Sequence, residues 1–214
     1  MTQFNELDLE LVKVPSFQER IEKLNHMIAD ARRIVFFTGA GISTGSGIPD
    51  FRSANGLYNT SEEADPEYML SADCLYKEPA KFYEYLREHM DFSKAEPNIA
   101  HRVISELQLT RTVSVITQNI DGLHQLAGSK VVYEVHGSPL RNYCDRCGKT
   151  YPSDAIYESK AAVPHCSCGG KIRPDVTLYG EMLPEDAWAG AGRLIARADL
   201  LIVGGTSLTV YPAS

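Results

Sequence analysis

Apolar and polar positions along this chain fall into blocks of strand length and helix length by turns. The most continuous apolar block is Arg33-Ile34-Val35-Phe36-Phe37-Thr38. An unbroken run of this length predicts a strand buried on both faces, and it leads straight into Gly39-Ala40-Gly41-Ile42-Ser43. Upstream, residues 16–31 place Ile21, Leu24, Met27 and Ile28 on one helical face, with Ser16 as cap. Two β-branched runs, Thr112 to Thr117 and Val131 to Val135, each end in polar residues. Helical patterns occupy 79–90, 97–109 and about 184–197; the last feeds the strand Leu200-Leu201-Ile202-Val203 and the loop Gly204-Gly205-Thr206-Ser207. Residues 44–65, with Gly45, Gly47, Pro49 and Gly56 among many polar residues, read as a long mobile loop. Strands alternating with helices predict an α/β fold: a Rossmann-like parallel sheet with helices on both faces and ligands at the strands' carboxyl ends.

Length and charge narrow this picture. A chain of 214 residues, 43% of them hydrophobic, suits one medium α/β domain with a small inserted module. No apolar run is long enough to span a bilayer, and residues 1–30 contain no signal-peptide stretch, so a cytoplasmic location is expected. A formal charge of −7 argues against general affinity for nucleic acid, which needs clustered Lys and Arg. The chain stops at Tyr211-Pro212-Ala213-Ser214, where a doubly wound sheet would continue with another crossover, so a C-terminally truncated sheet is expected.

The cysteines add a separate chemistry. Cys144-x-x-Cys147 and Cys166-x-Cys168 are two chelating pairs, enough for a tetrahedral Zn²⁺ site with no position left open for substrate. Such a metal would be structural. Arg146, Lys149, Lys171 and Arg173 lie where they would offset its surplus negative charge. Two disulfides or four buried thiols are the alternative, and Cys74 is left odd.

The remaining candidate chemistry sits at strand ends. Gly39-Ala40-Gly41 is a phosphate-cradle signal, weak alone because the third glycine of G-x-G-x-x-G would fall at Thr44. No strand ending in an acid follows about twenty residues on; Glu62, Glu63 and Asp65 lie in a loop. Arg52 could meet phosphate and Phe51 could cover a planar ring. Gln118 and Asn119 suit ribose hydroxyls, Asp121 suits a carboxamide, and His136, before Gly137, is a base-capable imidazole.

Together these residues resemble the sirtuin family, the NAD-dependent protein deacylases. The resemblance covers nearly all of residues 20–212. It rests on Gly39-Ala40-Gly41-Ile42-Ser43, Ile48-Pro49-Asp50-Phe51-Arg52, Thr117-Gln118-Asn119-Ile120-Asp121, His136-Gly137 and both cysteine pairs. Tyr179-Gly180-Glu181 and Gly205-Thr206-Ser207-Leu208 extend it. It implies that NAD is consumed as a co-substrate and lies between the Rossmann-like domain and the zinc module. Gly39, Ala40, Gly41, Ser43, Arg52, Gly205, Thr206 and Ser207 would hold its phosphates and adjacent sugars. Ile48, Asp50, Phe51, Gln118, Asn119, Ile120 and Asp121 would surround the nicotinamide and its ribose. The acyl-lysine oxygen would attack the ribose at C1′ as nicotinamide departs. His136 would then act as general base, with Asn119 beside it in the catalytic set, and lysine and O-acetyl-ADP-ribose would be released. Thr177, Leu178, Tyr179, Gly180 and Glu181 would bind an acetyl-lysine peptide, Val176 to Glu181 offering a backbone edge. Cys144, Cys147, Cys166 and Cys168 would hold the zinc. The implied domains are 1–52, 92–139 and 176–214 for NAD, 53–91 for the cofactor loop and helical part of a small domain, and 140–175 for the zinc module.

Family members that favour succinyl or malonyl groups carry Tyr and Arg three positions apart. In Phe82-Tyr83-Glu84-Tyr85-Leu86-Arg87 that spacing is not met, so acetyl and similar neutral groups are expected, with Tyr83 and Tyr85 as packing residues. His124 is expected to be a satisfied structural histidine; His26, His89 and His101 carry no functional expectation. Competing readings are an ADP-ribosyltransferase on the same scaffold, a non-catalytic NAD-sensing module and a nicotinamide dehydrogenase.

Overall fold

The computed structural model describes residues 15–51, 53–54, 56–60 and 65–209. The chain divides into two compact units at Ala31/Arg32. In the first, helix α1 (Phe17–Asp30) begins with a capping box: the Ser16 hydroxyl accepts from the Glu19 amide and the Glu19 carboxylate accepts from the Ser16 amide.

Among its described residues the second unit contains two sheets. Strands β1 (Arg33–Thr38), β2 (Thr112–Thr117), β3 (Val132–Glu134) and β7 (Leu200–Gly204) form a parallel sheet in the order β3-β2-β1-β7. Five consecutive residues of β1 and of β2 are buried, as an apolar run covered on both faces requires. Helix α9 (Glu185–Arg197) packs on β3 and β1, and α6 (Ile99–Thr110) on β2. Val35, Phe37, Ile116, Val135 and Ala191 are buried together where α9 meets the sheet. The register has the largest consequence for the site. Thr38 lies opposite Thr117 and Gly204, and Thr117 lies opposite Glu134. Four strands therefore end level, and whatever follows each of them meets at one sheet edge.

The second sheet is antiparallel, in the order β5-β4-β6, from β4 (Gly137–Cys144), β5 (Thr150–Pro152) and β6 (Ile172–Val176). Among the described residues this unit also contains five short helices: α2 (Leu57–Thr60), α3 (Pro66–Met69), α4 (Ala72–Lys77), α7 (Leu123–Leu126) and α8 (Asp154–Tyr157). With α5 (Pro79–His89), helices α2 and α4 share one core with the cysteine module, in which Leu57, Cys74, Leu75, Phe82, Tyr83 and Leu86 are buried alongside Cys144, Ile156, Cys166 and Ile172. Tyr83 donates to the Ile172 carbonyl at 2.8 Å, and Arg87 donates to the Ile156 and Ala161 carbonyls at 2.9 and 2.8 Å. Both tyrosines of this helix are packing residues, and Arg87 is committed to bracing the cysteine module.

The expectation of one long mobile loop over 44–65 needs correction. Thr44–Ser46 is a 3-10 turn, and the amides of Leu57 and Tyr58 donate to the carbonyls of Asp50 and Phe51 at 2.8 and 2.9 Å. The chain folds back on itself and satisfies the first amides of α2 with backbone acceptors. Phe51 packs against Tyr58 with ring centroids 5.9 Å apart, and the Tyr58 and Tyr179 hydroxyls lie 2.7 Å apart. Arg52, Glu62, Glu63 and Tyr211 to Ser214 lie outside the described residues.

Candidate active site

The level strand ends open into a cleft of about 290 Å³. It is lined by Ala40, Gly41, Ser43, Ile48, Asp50, Phe51, Gln118, Asn119, Ile120, Asp121 and His136. Thr177 to Glu181 and Gly205 to Ser207 complete the wall, so nearly every site residue expected from the sequence and described here borders one space. Gly39 is set just behind it.

After β1 the backbone makes a 3-10 turn at Ala40–Ile42. Here it closes on the loop after β7: Gly39 N–H donates to the Gly204 carbonyl at 3.2 Å and Gly41 N–H to the Gly205 carbonyl at 2.8 Å. Gly205 has φ +68°, and a Cβ there would strike the Ile42 backbone nitrogen. A Cβ on Gly41 would come within 2.9 Å of the Gly205 Cα. Only glycine lets two backbones approach this closely, and the approach commits the Gly39, Gly41, Ile42 and Ser43 amides to carbonyls within the protein.

Polar side chains behind this turn are locked together. Asn119 Nδ2 donates to the Gly39 carbonyl at 3.2 Å and to Ser43 Oγ at 3.0 Å. Ser43 Oγ donates to Asp121 at 2.6 Å, and the other Asp121 oxygen accepts from the Leu123 amide at 2.9 Å. Gln118 Oε1 accepts from Thr206 Oγ1 at 2.7 Å, whereas Gln118 Nε2 is buried with no partner among the described residues. A buried unpaired amide costs about 1–3 kcal/mol, so it suits a bound group that accepts its hydrogen bond. The glycine cradle and this orphaned amide fit a dinucleotide.

His136 lies between β3 and β4. Its Nδ1 is 2.8 Å from the Gln118 carbonyl, which can only accept, so Nδ1 carries the proton and Nε2 keeps a lone pair. Burial pushes its pKa below the ordinary imidazole value, opposed by that hydrogen bond. Gly137, at φ +77°, has no room for a Cβ beside the Asp175 carbonyl, which fixes the turn that aims the histidine.

The opposite wall differs from expectation in one respect. Thr177 N–H donates to the His136 carbonyl at 2.9 Å and Tyr179 N–H to the Leu70 carbonyl at 3.1 Å, so part of the expected peptide edge is already paired within the protein. Glu181 accepts from both terminal nitrogens of Arg173, at 2.7 and 2.9 Å, and from the Leu178 amide at 3.0 Å. Burial raises the Glu181 pKa, but Arg173 and the amide outweigh it and hold it below the usual carboxylate range. This carboxylate braces the turn, and Arg173 serves it rather than offsetting charge at the cysteines. Gly180 faces open space, with nothing within 4 Å of where a Cβ would stand.

The four cysteines gather as expected. None of the chain's cysteines is in a disulfide, which sets aside the disulfide alternative. The four sulfur atoms lie within 4.8 Å of one another, with Cys144 and Cys168 at 3.4 Å and Cys147 and Cys166 at 3.7 Å. A tetrahedron with Zn–S bonds near 2.3 Å has edges of about 3.8 Å, so the cluster fits Zn²⁺ with every position filled by protein. Arg146 contributes its amide to Cys144 Sγ at 3.4 Å and its guanidinium to the Cys168 carbonyl at 2.8 Å.

Two buried histidines lie beneath the cleft. His124 Nε2 is 3.0 Å from Thr38 Oγ1, and its ring meets that of His101 edge-on, with centroids 4.8 Å apart. His124 Nδ1 and His101 Nε2 have no partner among the described residues, so His124 is only half satisfied, contrary to expectation. Burial, with a smaller contribution from His101, pushes the His124 pKa down to about 4. Between pH 4 and 6.5 the unfolded chain therefore binds a proton that the folded protein excludes. Stability present above pH ~6.5 is expected to be lost as pH falls towards 4, by up to about 3 kcal/mol from this group. Thermal melts across that range check it.

The Sir2 family profile matches residues 39–212. The chain is 51% identical over 196 residues to an NAD-dependent protein deacetylase of Cutibacterium acnes, covering 90% of this chain and 80% of that one. The chain belongs to the Sir2 family. Another relative, an NAD-dependent protein deacetylase of Clostridium acetobutylicum, is 48% identical over 200 residues, covering 92% and 82%. Among solved sirtuin structures, a Sir2 complex with deacetylated p53 peptide and 3′-O-acetyl ADP ribose matches with a TM-score of 0.83 at 42% identity, covering 90% of this chain and 79% of that one. A Sir2–p53 peptide–NAD+ complex matches with a TM-score of 0.80 at 41% identity, covering 90% and 78%. Sir2 membership accounts for a glycine cradle that lacks the third glycine and the ribose-binding acid of the dehydrogenases.

Proposed function

We infer that this protein is an NAD-dependent protein-lysine deacetylase, releasing nicotinamide and O-acetyl-ADP-ribose. The observation that carries the reading is a single cleft bordered by the glycine cradle, the Asn119–Asp121 segment and His136, in a chain of the Sir2 family. The substrates are acetyl-lysine proteins or peptides. NAD supplies an electrophilic ribose carbon that accepts the acetyl oxygen as nicotinamide leaves.

Each side chain has a role that its position supports. The backbone at Gly39 to Gly41 and Gly205 to Ser207, with Ser43, holds the phosphates and nearby sugars; Arg52, outside the described residues, is given a phosphate by the family motif alone. Ile48, Asp50, Phe51, Gln118, Asn119, Ile120 and Asp121 enclose the nicotinamide ribose and its ring. His136, its proton held on Nδ1 by Gln118, takes a proton from a ribose hydroxyl at Nε2. The hydroxyl can then attack the imidate carbon, and addition of water expels the lysine amine and leaves O-acetyl-ADP-ribose. Thr177 to Glu181 line the peptide side, and the cysteine quartet holds a structural zinc. In domain terms, residues 1–52, 92–139 and 176–214 carry NAD, 53–91 the cofactor loop and helical part, and 140–175 the metal. No helix among the described residues is long and apolar enough to cross a membrane, and a cytoplasmic location is proposed.

Incubating the protein with NAD and an acetyl-lysine peptide tests the reading. Nicotinamide release matched to peptide deacetylation supports it, and unchanged NAD and peptide overturn it. The histidine's lowered pKa keeps it neutral, and so competent as a base, at lower pH than a free imidazole. The acidic limb of kcat/KM is expected to have its midpoint below about pH 6.5. A limb above that value would remove His136 from the base role.

A further inference from the structure

The buried pair His101 and His124 takes no part in the chemistry above, yet it lies against the site's foundations. His101 is fully buried and His124 is 1% exposed. Two of their ring nitrogens lack a partner among the described residues, at a position where an apolar side chain of similar volume would carry no such cost. A residue serving packing alone gains nothing from that nitrogen. What the imidazole of His124 does make is one specific bond, from Nε2 to Thr38 Oγ1 at 3.0 Å.

That bond joins two elements that adjoin segments lining the NAD cleft, β1 before Ala40 and Gly41, and α7 after Gln118 to Asp121. Thr38 is the last residue of β1, immediately before the Gly39–Gly41 turn, and it is 1% exposed. His124 is on α7, just after Asp121, whose carboxylate receives the Leu123 amide and Ser43. The Thr38 carbonyl accepts from the Gln118 amide at 2.9 Å, and the Gly39 carbonyl from Asn119 Nδ2 at 3.2 Å. Ser43 already ties Asp121 to the cradle at 2.6 Å, and His124 adds a second tie from just beyond Asp121 back to the last residue of β1. This second tie pins the far end of the segment to the strand that launches the cradle.

We propose that His124 is a positioning residue for NAD, setting the phosphate cradle against the Asn119–Asp121 segment through its bond to Thr38. This rests on the NAD-dependent reading of the cleft. The pin acts on the shape of the empty site, so its loss weakens NAD binding while leaving the peptide wall and His136 in place.

The test compares His124→Leu, His124→Gln, His124→Asn and Thr38→Val in the full chain. NAD affinity is measured by calorimetry, KM and kcat with acetyl-lysine peptide, and folding by thermal melt. Losing one buried hydrogen bond is expected to raise the NAD Kd and KM of His124→Leu about tenfold, with kcat within about twofold and the peptide KM unchanged. The Gln side chain reaches the Nε2 position and restores affinity, while Asn reaches only the Nδ1 position and does not. Thr38→Val, which removes only the hydroxyl, reproduces the loss even if His124→Leu folds poorly, and combining it with His124→Leu adds little. Unchanged NAD affinity in Thr38→Val, or kcat losses that follow the folded fraction at constant KM, overturn the proposal. Wild-type protein that binds NAD without deacetylating the peptide would instead count against the catalytic reading, which the binding measurement leaves separate.

Discussion

His136→Ala is expected to lower deacetylation by about 10²- to 10⁴-fold while NAD affinity and melting temperature stay near wild type. The separation follows from where the imidazole is held. Its Nδ1 is hydrogen-bonded to the Gln118 carbonyl, and the turn around it is kept by backbone bonds, Thr177 N–H to the His136 carbonyl among them. Truncating the ring therefore removes a base without removing a support. Gln118, the glycine cradle and Asp121 remain to bind NAD. Single-turnover assays with NAD and peptide, alongside calorimetry, check it. A variant turning over at the wild-type rate would require another base.

Loss of the metal is expected to have the second large effect, by a different route. Structural zinc sites contribute about 10–16 kcal/mol of apparent binding free energy in small zinc-finger peptides, most of it expressed as folding. Here Cys144 and Cys166 are buried in the same core as Phe82, Tyr83, Leu86 and Met90. Leu86 and Met90 also line the cleft. Cys144→Ala, or a strong chelator, should therefore loosen the β5-β4-β6 sheet, lower the melting temperature and abolish activity, although no cysteine touches the cleft. Metal analysis should give about one zinc per chain, and well-folded active protein without it would contradict the assignment.

The large features of the site were legible because they follow from local pattern. Unbroken apolar runs at Arg33–Thr38 and Thr112–Thr117 mark buried parallel strands, and a parallel register brings the polar residues that follow them to one edge. Two cysteine pairs at chelating spacing converge because each turn is built within a few residues. What the sequence concealed are contacts made across long stretches of chain. Tyr58 and Tyr179 meet 121 positions apart, and nothing local marks either hydroxyl as a partner. Arg173 looks like a counter-charge for the cysteines, but the turn at Leu178 brings Glu181 back to it and a paired carboxylate wins. The short helices α2, α3 and α4 are too brief to show a period, and are held by caps and by packing on α5 and the metal module. His124 is the sharpest case. Its contact with Thr38 spans 86 positions, so a histidine that reads as ordinary packing is tied to the strand feeding the cradle.

The most direct measurement follows the acetyl group itself. A peptide with isotopically labelled acetyl-lysine is incubated with the protein and NAD, and the products are resolved by mass. The account predicts that the label moves onto ADP-ribose, one for each nicotinamide released and each lysine freed. Label appearing as free acetate with NAD intact, or ADP-ribose attached to protein while the peptide stays acetylated, would contradict it.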